Sequence, residues 1–476
     1  MPKVLRTLPE RGFRRRARAV AVLFCAVCLG LAVRLFFLQV RTDGFYADRA
    51  QGQQLRDTVV PADRGRIYSA DGLLLAANSS CWTLRASPRE MPEEKITLAA
   101  HGLAEILALD EAALLEKFSD RRSNDCLLRY RVDRAAADAV RDFCEENSIT
   151  GIRINQDSKR WYPQGAFLAS VLGFTNVDNA GVAGLELKYD DLLTGENGVV
   201  LTAVNAWGYT LEQSYETERF PTEGDGLRLT IDANIQTFAE KYLEIAVKET
   251  GCTNRGACII QDVNTGAILA MATKGDYDLN DPFTVTDPDV NAALALLAGD
   301  ERSAALTEAR QKQWQNKPVV DTYEPGSVFK TFTACMALEE GIVDESHTFT
   351  CTGSIRVKGY SSAIKCHKAG GHGLIDFPAA VSGSCNPYFI DLGLQIGGHN
   401  FFKYFTGFGF TEKTGIDMIG EQSNAGLYHS EERLSNPNSQ SYLATSAFGQ
   451  TFEVTPIQMI TAMSAVANGG KLMTPY

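Results

Sequence analysis

The chain has 476 residues, a formal net charge of −12, and a composition in which 45% of the residues are hydrophobic and 22% are charged. This is the composition of a globular protein. A chain of this length is too long to fold around one hydrophobic core, so two or three domains are expected. The acidic balance argues against nucleic acid as a partner.

The charge is unevenly distributed. Residues 1–18 contain seven basic side chains and one acidic side chain, so the remaining residues sum to −18. The 15 residues Ala19–Val33 carry no charge, and Arg34 with Leu35–Leu38 brings the run to about the twenty residues that cross a bilayer. The pattern predicts a transmembrane signal-anchor at 19–40, with the basic tail in the cytoplasm and the rest of the chain outside. A cleaved signal peptide is the alternative, although no small-x-small cleavage site closely follows the run.

The part beyond the predicted span divides into segments of different pattern. A polar stalk at 41–60 precedes a stretch, 61–215, in which hairpin signals and short extended runs alternate with apolar residues at helical spacing. A linker strand and helix follow at 216–256. The last segment, 257–476, opens with two apolar runs around an Asn-Thr-Gly turn, which indicates a β-hairpin. We therefore expect a multi-domain α+β protein.

The strongest chemical signal lies in the segment Tyr323–Gly341. Pro325-Gly326 interrupts the chain, and the residues from Ser327 onward are compatible with a helix that Gly341 ends. Ser327 is therefore predicted at a helix N-terminus, where free amides favour developing negative charge. Lys330 shares its helix face, and apolar neighbours would lower the pKa of the amine so that it can take the serine proton. The spacing alone is equally compatible with an ordinary helix start and a solvated lysine.

A second group of polar residues follows in Ser382–Pro387. Ser384 lies 57 residues after Ser327, and Asn386 is two residues further on. A hydroxyl and an amide at this spacing in a loop can reach one cleft, where the hydroxyl can pass a proton and the amide can hold a substrate carbonyl. An ordinary turn is the alternative, because serine, glycine, asparagine and proline are turn residues. Both motifs in this order favour the catalytic interpretation.

These two motifs resemble the first two of three signature motifs of penicillin-binding transpeptidases. From about residue 17 onward, the chain resembles a class B penicillin-binding protein of the sporulation or division type. Further segments that resemble the family in its own order are Arg64-Gly65 with Asp71-Gly72, Arg160–Pro163, Gly181–Glu186, Leu193–Gly195, Thr265-Gly266 with Ala270-Met271, His372-Gly373, and Thr414–Asp417 with Gly420-Glu421.

The resemblance implies a pedestal or dimerisation domain at 61–215, followed by a serine transpeptidase domain at 257–476 in which helices enclose an antiparallel sheet, as in β-lactamases. It implies a bacterial membrane enzyme that cross-links peptidoglycan stem peptides ending in D-Ala-D-Ala and is the target of β-lactams. Ser327 would be the nucleophile, Lys330 its base, Ser384 a proton relay and Asn386 a substrate-orienting residue. A membrane glycosyltransferase is the expected protein partner.

The third family motif, Lys-Thr-Gly on an edge strand, has no good counterpart. The candidate Lys413–Gly415 lies only 27 residues after Asn386, inside a segment that the family carries separately, so we do not expect it to be catalytic. By the family pattern, the sequence ends before this motif, either as a fragment or as an inactive copy. Two rival functions remain: a β-lactam sensor or hydrolase of the same fold, against which the 61–215 segment argues, and a non-catalytic scaffold that binds division partners.

The chain has eleven cysteines, and a framework of disulfide bonds alone is a poor explanation for them. Two of them, Cys25 and Cys28, lie in the predicted span, and the nine others cannot all pair within one molecule.

Four candidate metal ligands follow in order. Cys351, Cys366, His372 and Cys385 are separated by intervals of 15, 6 and 13 residues, and three thiolates with one imidazole form a closed structural zinc site. Elongation-type members of the family hold zinc beside the active site with a similarly spaced quartet that is partly carboxylate. The alternatives are a disulfide between Cys351 and Cys366, buried free thiols, or His367 as the imidazole.

Overall fold

A computed structural model describes residues 10–37, 55–203, 217–252 and 256–476. The first part of the predicted basic tail and most of the predicted stalk lie outside these residues. The chain separates into two compact units, one formed by Met1–Ala62 with Glu196–Thr222 and the other by Asp63–Gly195 with Glu223–Tyr476. The multi-domain α+β class is confirmed. The domain boundaries stay a prediction.

Both units combine helices and strands. The α-helices in the described residues are α1 (Glu10–Phe36), α2 (Ile96–Leu107), α3 (Glu111–Ser119), α4 (Arg134–Glu146), α5 (Ala169–Leu172), α6 (Gly184–Lys188), α7 (Asp190–Leu193), α8 (Ala233–Thr250), α9 (Pro288–Ala295), α10 (Gly299–Trp314), α11 (Lys317–Val320), α12 (Lys330–Glu339), α13 (Phe377–Ser382), α14 (Asn386–Gly407), α15 (Glu431–Leu434), α16 (Ser441–Ser446) and α17 (Pro456–Ala467). The strands are β1 (Leu55–Val60), β2 (Ile67–Tyr68), β3 (Leu74–Ala86), β4 (Cys126–Val132), β5 (Ile152–Trp161), β6 (Gly198–Ala203), β7 (Thr217–Arg219), β8 (Leu227–Arg228), β9 (Ala257–Gln261), β10 (Ile268–Thr273), β11 (Thr348–Cys351), β12 (Ser354–Ile355), β13 (Ile364–Lys365) and β14 (Gly373–Asp376).

The smaller unit contains the membrane-span candidate and one sheet. Helix α1 includes Arg15–Phe36, which is long and apolar enough to cross a bilayer, and its described side chains are exposed. Residues 38–40, at the end of the predicted span, lie outside the described residues. The sheet has the order β1-β6-β7, and both pairings are antiparallel.

In the larger unit, a long antiparallel pair organises the first half. Strand β3 pairs with β5 from Ala77 opposite Trp161 to Ala86 opposite Ile152, and β4 pairs with the other edge of β3. Helices α2, α3 and α4 bury their apolar faces against this sheet, because their leucines, valines and alanines recur at helical spacing. This packing gives the region a core separate from the one behind the candidate active site.

A buried group of charged side chains lies beneath β3 and β5. Glu186 accepts hydrogen bonds from Arg64 Nε at 2.6 Å and from Arg160 Nε at 2.7 Å, and all three residues are buried. Arg64 also contacts Asp190 at 2.7 Å, and Tyr162 donates to Glu186 at 3.3 Å. Because both charge signs are present and hydrogen-bonded, the cluster avoids the large cost of an isolated buried charge.

The second half of the larger unit holds the candidate active site. The expected hairpin is present: β9 and β10 pair antiparallel, and α8 and α17 pack on this sheet. The remaining core is largely aromatic and centres on Phe329, whose ring packs against Phe332, Phe405 and Phe452. Phe329 lies between Ser327 and Lys330 in the sequence, so this core fixes the backbone that carries the candidate nucleophile.

Candidate active site

The candidate nucleophile lies on a tight turn that precedes a helix. The sequence predicted a helix from Ser327 onward. The structure instead has a 3₁₀ turn at Gly326–Phe329, and α12 begins only at Lys330. The reason is a distant segment: Gly326, at φ +61°, donates its amide to Gly449 O at 2.8 Å. Exposed Ser327 therefore lies in the turn itself, three residues before buried Lys330 at the start of α12.

Lys330 joins the two sequence motifs. Its Nζ donates to Ser384 O at 2.8 Å, to Ser384 Oγ at 2.9 Å and to Asn386 Oδ1 at 2.6 Å. In the described residues, its hydrogen bonds all go to this second motif and none goes to Ser327. The Phe389 ring lies 5.6 Å from Nζ. Burial lowers the pKa of the Lys330 amine to about 8, although the nearby thiols of Cys385 and Cys366 act in the opposite direction. A neutral amine is thus accessible near physiological pH.

Ser384 occupies a strained backbone position. Its φ is +46°, in the left-handed region that residues other than glycine rarely adopt. Such a backbone conformation costs about 1–3 kcal/mol. Flanking hydrogen bonds hold it there, from Ser384 N to Val381 O at 3.1 Å and from Cys385 N to Ala380 O at 3.1 Å. The connection between α13 and α14 therefore presents Ser384 Oγ to Lys330.

Asn386 is the first residue of α14. Its Oδ1 accepts from Lys330, and its Nδ2 donates to Lys365 O on strand β13 at 3.4 Å. The amide is held from both sides, and this fixes its orientation beside the Lys330 amine.

The four predicted metal ligands come together beside this loop. The donor atoms of Cys351, Cys366, His372 and Cys385 all lie within 4.8 Å of one another, and the three cysteines are buried. His372 completes the group, with Nδ1 at 3.5 Å from Cys366 Sγ, whereas exposed His367 is at 3.9 Å.

The donor chemistry suits a soft cation such as zinc. Burial opposes ionisation of Cys351, but hydrogen bonds from the amides of His372 and Gly353 and from the Cys385 and Cys366 thiols together lower its pKa. Burial raises the pKa of Cys385 to about 12. Zinc–sulfur bonds of about 2.3 Å require tetrahedral edges of about 3.8 Å, so the group would contract by less than about 1 Å on binding. The residues present fit such a metal.

The other lysine-containing motif has a different structure. Lys413–Gly415 lies outside the strands, and Thr414 donates its amide and its hydroxyl to Glu421 Oε1 at 2.6 and 2.7 Å. The segment is thus a turn closed by Glu421.

Sequence reasoning missed the segment that supports the nucleophile turn. Residues 449–454 run beside Tyr323–Gly326: Tyr323 and Val454 exchange backbone hydrogen bonds at 3.0 Å, and Glu324 accepts the Thr451 amide at 2.8 Å. A Cβ atom on Gly449 would lie 2.0 Å from Gly326 O, so only glycine permits this approach. The one local signal was this glycine, which by itself indicates no partner.

Comparison with known proteins decides the family. The model of the penicillin-binding protein dimerisation domain matches residues 59–229, and that of the penicillin-binding protein transpeptidase domain matches residues 256–476. The chain belongs to the penicillin-binding protein family. The two domains occur here in the order found in class B penicillin-binding proteins, so the family resemblance inferred from the motifs is confirmed.

Curated relatives of this penicillin-binding protein match almost its whole chain. Stage V sporulation protein D of Bacillus subtilis is 33% identical over 97% of this chain and 66% of its own length. Peptidoglycan D,D-transpeptidase FtsI of Escherichia coli is 26% identical over 94% of this chain and 71% of its own length. The chain thus spans about two thirds of the length of these relatives.

Solved structures share the fold. Penicillin-binding protein 2X of Streptococcus thermophilus is 22% identical, with a TM-score of 0.64. The match covers 88% of this chain and 60% of the Streptococcus protein. Penicillin-binding protein PBP2 of Helicobacter pylori, solved in complex with MreC, has a TM-score of 0.68 at 23% identity over 88% of this chain and 78% of its own. With one candidate span in its described residues, this penicillin-binding protein is a single-pass membrane protein.

Proposed function

We propose that the protein is a peptidoglycan D,D-transpeptidase that works through an acyl-enzyme on Ser327. The observation that carries the proposal is the position of the Lys330 amine, in contact with Ser384 Oγ and Asn386 Oδ1 and one 3₁₀ turn from exposed Ser327. A base, a proton relay and a substrate-orienting amide are the groups that serine acyl transfer requires.

In the first half-reaction, the neutral Lys330 amine accepts the Ser327 proton as Oγ attacks the carbonyl between the two terminal D-alanines. The Ser327 amide donates to the developing oxyanion. Lys330, now an ammonium, gives a proton to Ser384, which passes its own proton to the leaving D-alanine nitrogen. The C–N bond breaks, and an ester to Ser327 remains.

In the second half-reaction, an amine from a neighbouring stem peptide attacks the ester. Its proton returns through Ser384 and Lys330 to Ser327 Oγ as the C–O bond breaks, and the new amide is the cross-link. A β-lactam would open its ring on Ser327 by the first step. The amine released by ring opening would remain attached to the acyl group and occupy the position of the second amine. The acyl group would therefore stay on the enzyme.

The location and partners of the reaction form the second part of the proposal. The basic residues at 1–18, ahead of the uncharged run, favour a cytoplasmic N-terminus and an active site outside the membrane. A membrane glycosyltransferase is the proposed partner. A related fold solved in a study of coordinated polymerisation and crosslinking by a peptidoglycan synthase complex supports that choice.

One labelling experiment tests the reaction and the orientation together. A membrane-impermeant fluorescent penicillin, added to spheroplasts that express the complete gene, should label the protein. Peptide mapping should place the adduct on Ser327. Labelling only after lysis would contradict the orientation, and an adduct on any other residue would contradict the nucleophile.

We also propose that Cys351, Cys366, His372 and Cys385 bind structural zinc. When bound, the metal would supply folding energy rather than reaction chemistry. Because Cys385 lies between Ser384 and Asn386, the site would hold the loop that carries both groups.

Purified wild-type protein should therefore contain about one equivalent of zinc. Cys366→Ala should lose the metal and acylate more slowly, because its Ser384 loop is no longer held. Cys258→Ala, which changes a cysteine in β9, should keep the metal. A wild-type protein without zinc and with Cys351 and Cys366 joined as a disulfide would refute the metal site.

A further inference from the structure

A short hairpin beside the candidate active site carries an unusual concentration of positive charge. Residues 346–375 contain four basic side chains and no acidic one, in a chain whose net charge is −12. The four are Arg356, Lys358, Lys365 and Lys368. They lie on or next to strands β12 and β13, and we call residues 354–368 the basic hairpin.

The charges of the basic hairpin are exposed and largely unpaired. All four side chains are exposed. In the described part of the chain none of them forms an ion pair with a carboxylate, and the one side-chain hydrogen bond among them joins Lys358 to Asn438 Oδ1 at 3.4 Å. Neighbouring like charges repel one another, so this arrangement becomes favourable when an anion is bound between them.

The basic hairpin is held in place rather than projecting freely. Val357 is buried against Ile390 and Phe448, so Arg356 and Lys358, which flank it, share the opposite, outward face. Lys358 O accepts the Gln440 amide at 2.9 Å. The backbone that carries these cations is therefore already ordered before a ligand binds, which lowers the entropy cost of binding.

The basic hairpin also touches the catalytic group directly. Lys365 O accepts from Asn386 Nδ2, and Asn386 Oδ1 accepts from Lys330. Cys366, the next residue, lies in the cluster that contains Cys385. A ligand held by Lys365 would therefore lie near the Asn386 amide, which we propose orients the substrate.

We propose that the basic hairpin binds free carboxylates of the stem peptide that enters the active site. The inference rests on the proposed transpeptidase function, because stem peptides carry side-chain carboxylates close to the reacting D-alanine. Arginine can bind a carboxylate through two parallel hydrogen bonds, and three lysines add point charges beside it. Donor and acceptor strands offer the same carboxylate chemistry, and the experiment separates the two.

The test measures equilibrium binding to Ser327→Ala, in which no acylation can occur. The probes are a donor pentapeptide ending in D-Ala-D-Ala and an acceptor tetrapeptide, each with free or amidated side-chain carboxylates. We expect one of the two strands to bind about tenfold more tightly in its free form at low salt. This preference should fall towards unity at 1 M salt, where the Debye length is about 3 Å.

The variants locate the effect. In the Ser327→Ala protein, replacing all four cations should remove the preference for the free over the amidated peptide. These four substitutions are Arg356→Gln, Lys358→Gln, Lys365→Gln and Lys368→Gln. Replacing Arg356 and Lys358 alone should reduce the preference. The control protein carries Lys248→Gln and Lys312→Gln, which change two exposed lysines elsewhere in the chain, and it should retain the preference for the free peptide.

Equal binding of free and amidated peptides, or a preference that survives in the fourfold variant, would overturn the proposal. Failure of the transpeptidase function shows itself separately, as a lack of penicillin labelling of the protein with Ser327 intact.

Discussion

Replacing Lys330 by Ala should slow acylation by penicillin by about a hundredfold or more, the usual contribution of a positioned base. Lys330 Nζ holds three hydrogen bonds to Ser384 and Asn386, so its loss removes the base and also releases the relay. The rate is measured by stopped-flow labelling with a fluorescent penicillin. Lys403→Ala, which removes an exposed lysine on α14, is the matched control and should acylate at the wild-type rate.

The pH dependence of acylation identifies the base. Because the neutral amine is the active form and the Lys330 pKa is lowered to about 8, the acylation rate should rise with pH and reach half its maximum near pH 8. Lys330→Arg keeps the charge but cannot deprotonate, so it should stay slow across the range. A pH profile that is unchanged in the Lys330 variants would assign the base to another group.

Replacing Glu186 by Gln should lower the free energy of unfolding by about 3–5 kcal/mol, because it leaves buried guanidinium groups without their shared carboxylate. Arg64 keeps Asp190, whereas the carboxylate that Arg160 contacts among the described residues is Glu186. Urea unfolding followed by tryptophan fluorescence measures the change.

The control for this prediction is Glu308→Ala. Glu308 pairs with Lys312 on the surface of α10, and both side chains are about two-thirds exposed or more. Exposed pairs contribute about 0–1 kcal/mol, so this variant should unfold close to the wild type. Equal changes in the free energy of unfolding of the two variants would show that the buried cluster contributes no more to stability than an exposed ion pair.

The elements that the sequence predicts well are those set by neighbouring residues. Ser327 and Lys330 come within one turn of each other because they are three residues apart, and the β9–β10 hairpin follows from the turn at 264–266. The span at α1 follows from its uncharged run. Local spacing is enough in these cases, since few residues separate the interacting groups.

The features that were missed depend on contacts between distant segments. The 3₁₀ form of the nucleophile turn is set by Gly449, which lies 122 residues after Ser327. The φ of +46° at Ser384 is imposed by the two helices on either side, and serine itself gives no signal for it. Nothing in the sequence linked Arg64 and Arg160, which are 96 residues apart, to the same carboxylate.

The contact between Gly326 and Gly449 also sets an order of events during synthesis. A ribosome makes Ser327 long before Gly449, so the nascent chain carries the serine while the segment that shapes its turn does not yet exist. Closing so long a loop is a late folding step. Until it closes, the turn that carries Ser327 lacks the hydrogen bond from Gly326 N to Gly449 O. We therefore expect the turn at Ser327 to take its final geometry only after the polypeptide has passed beyond residue 449.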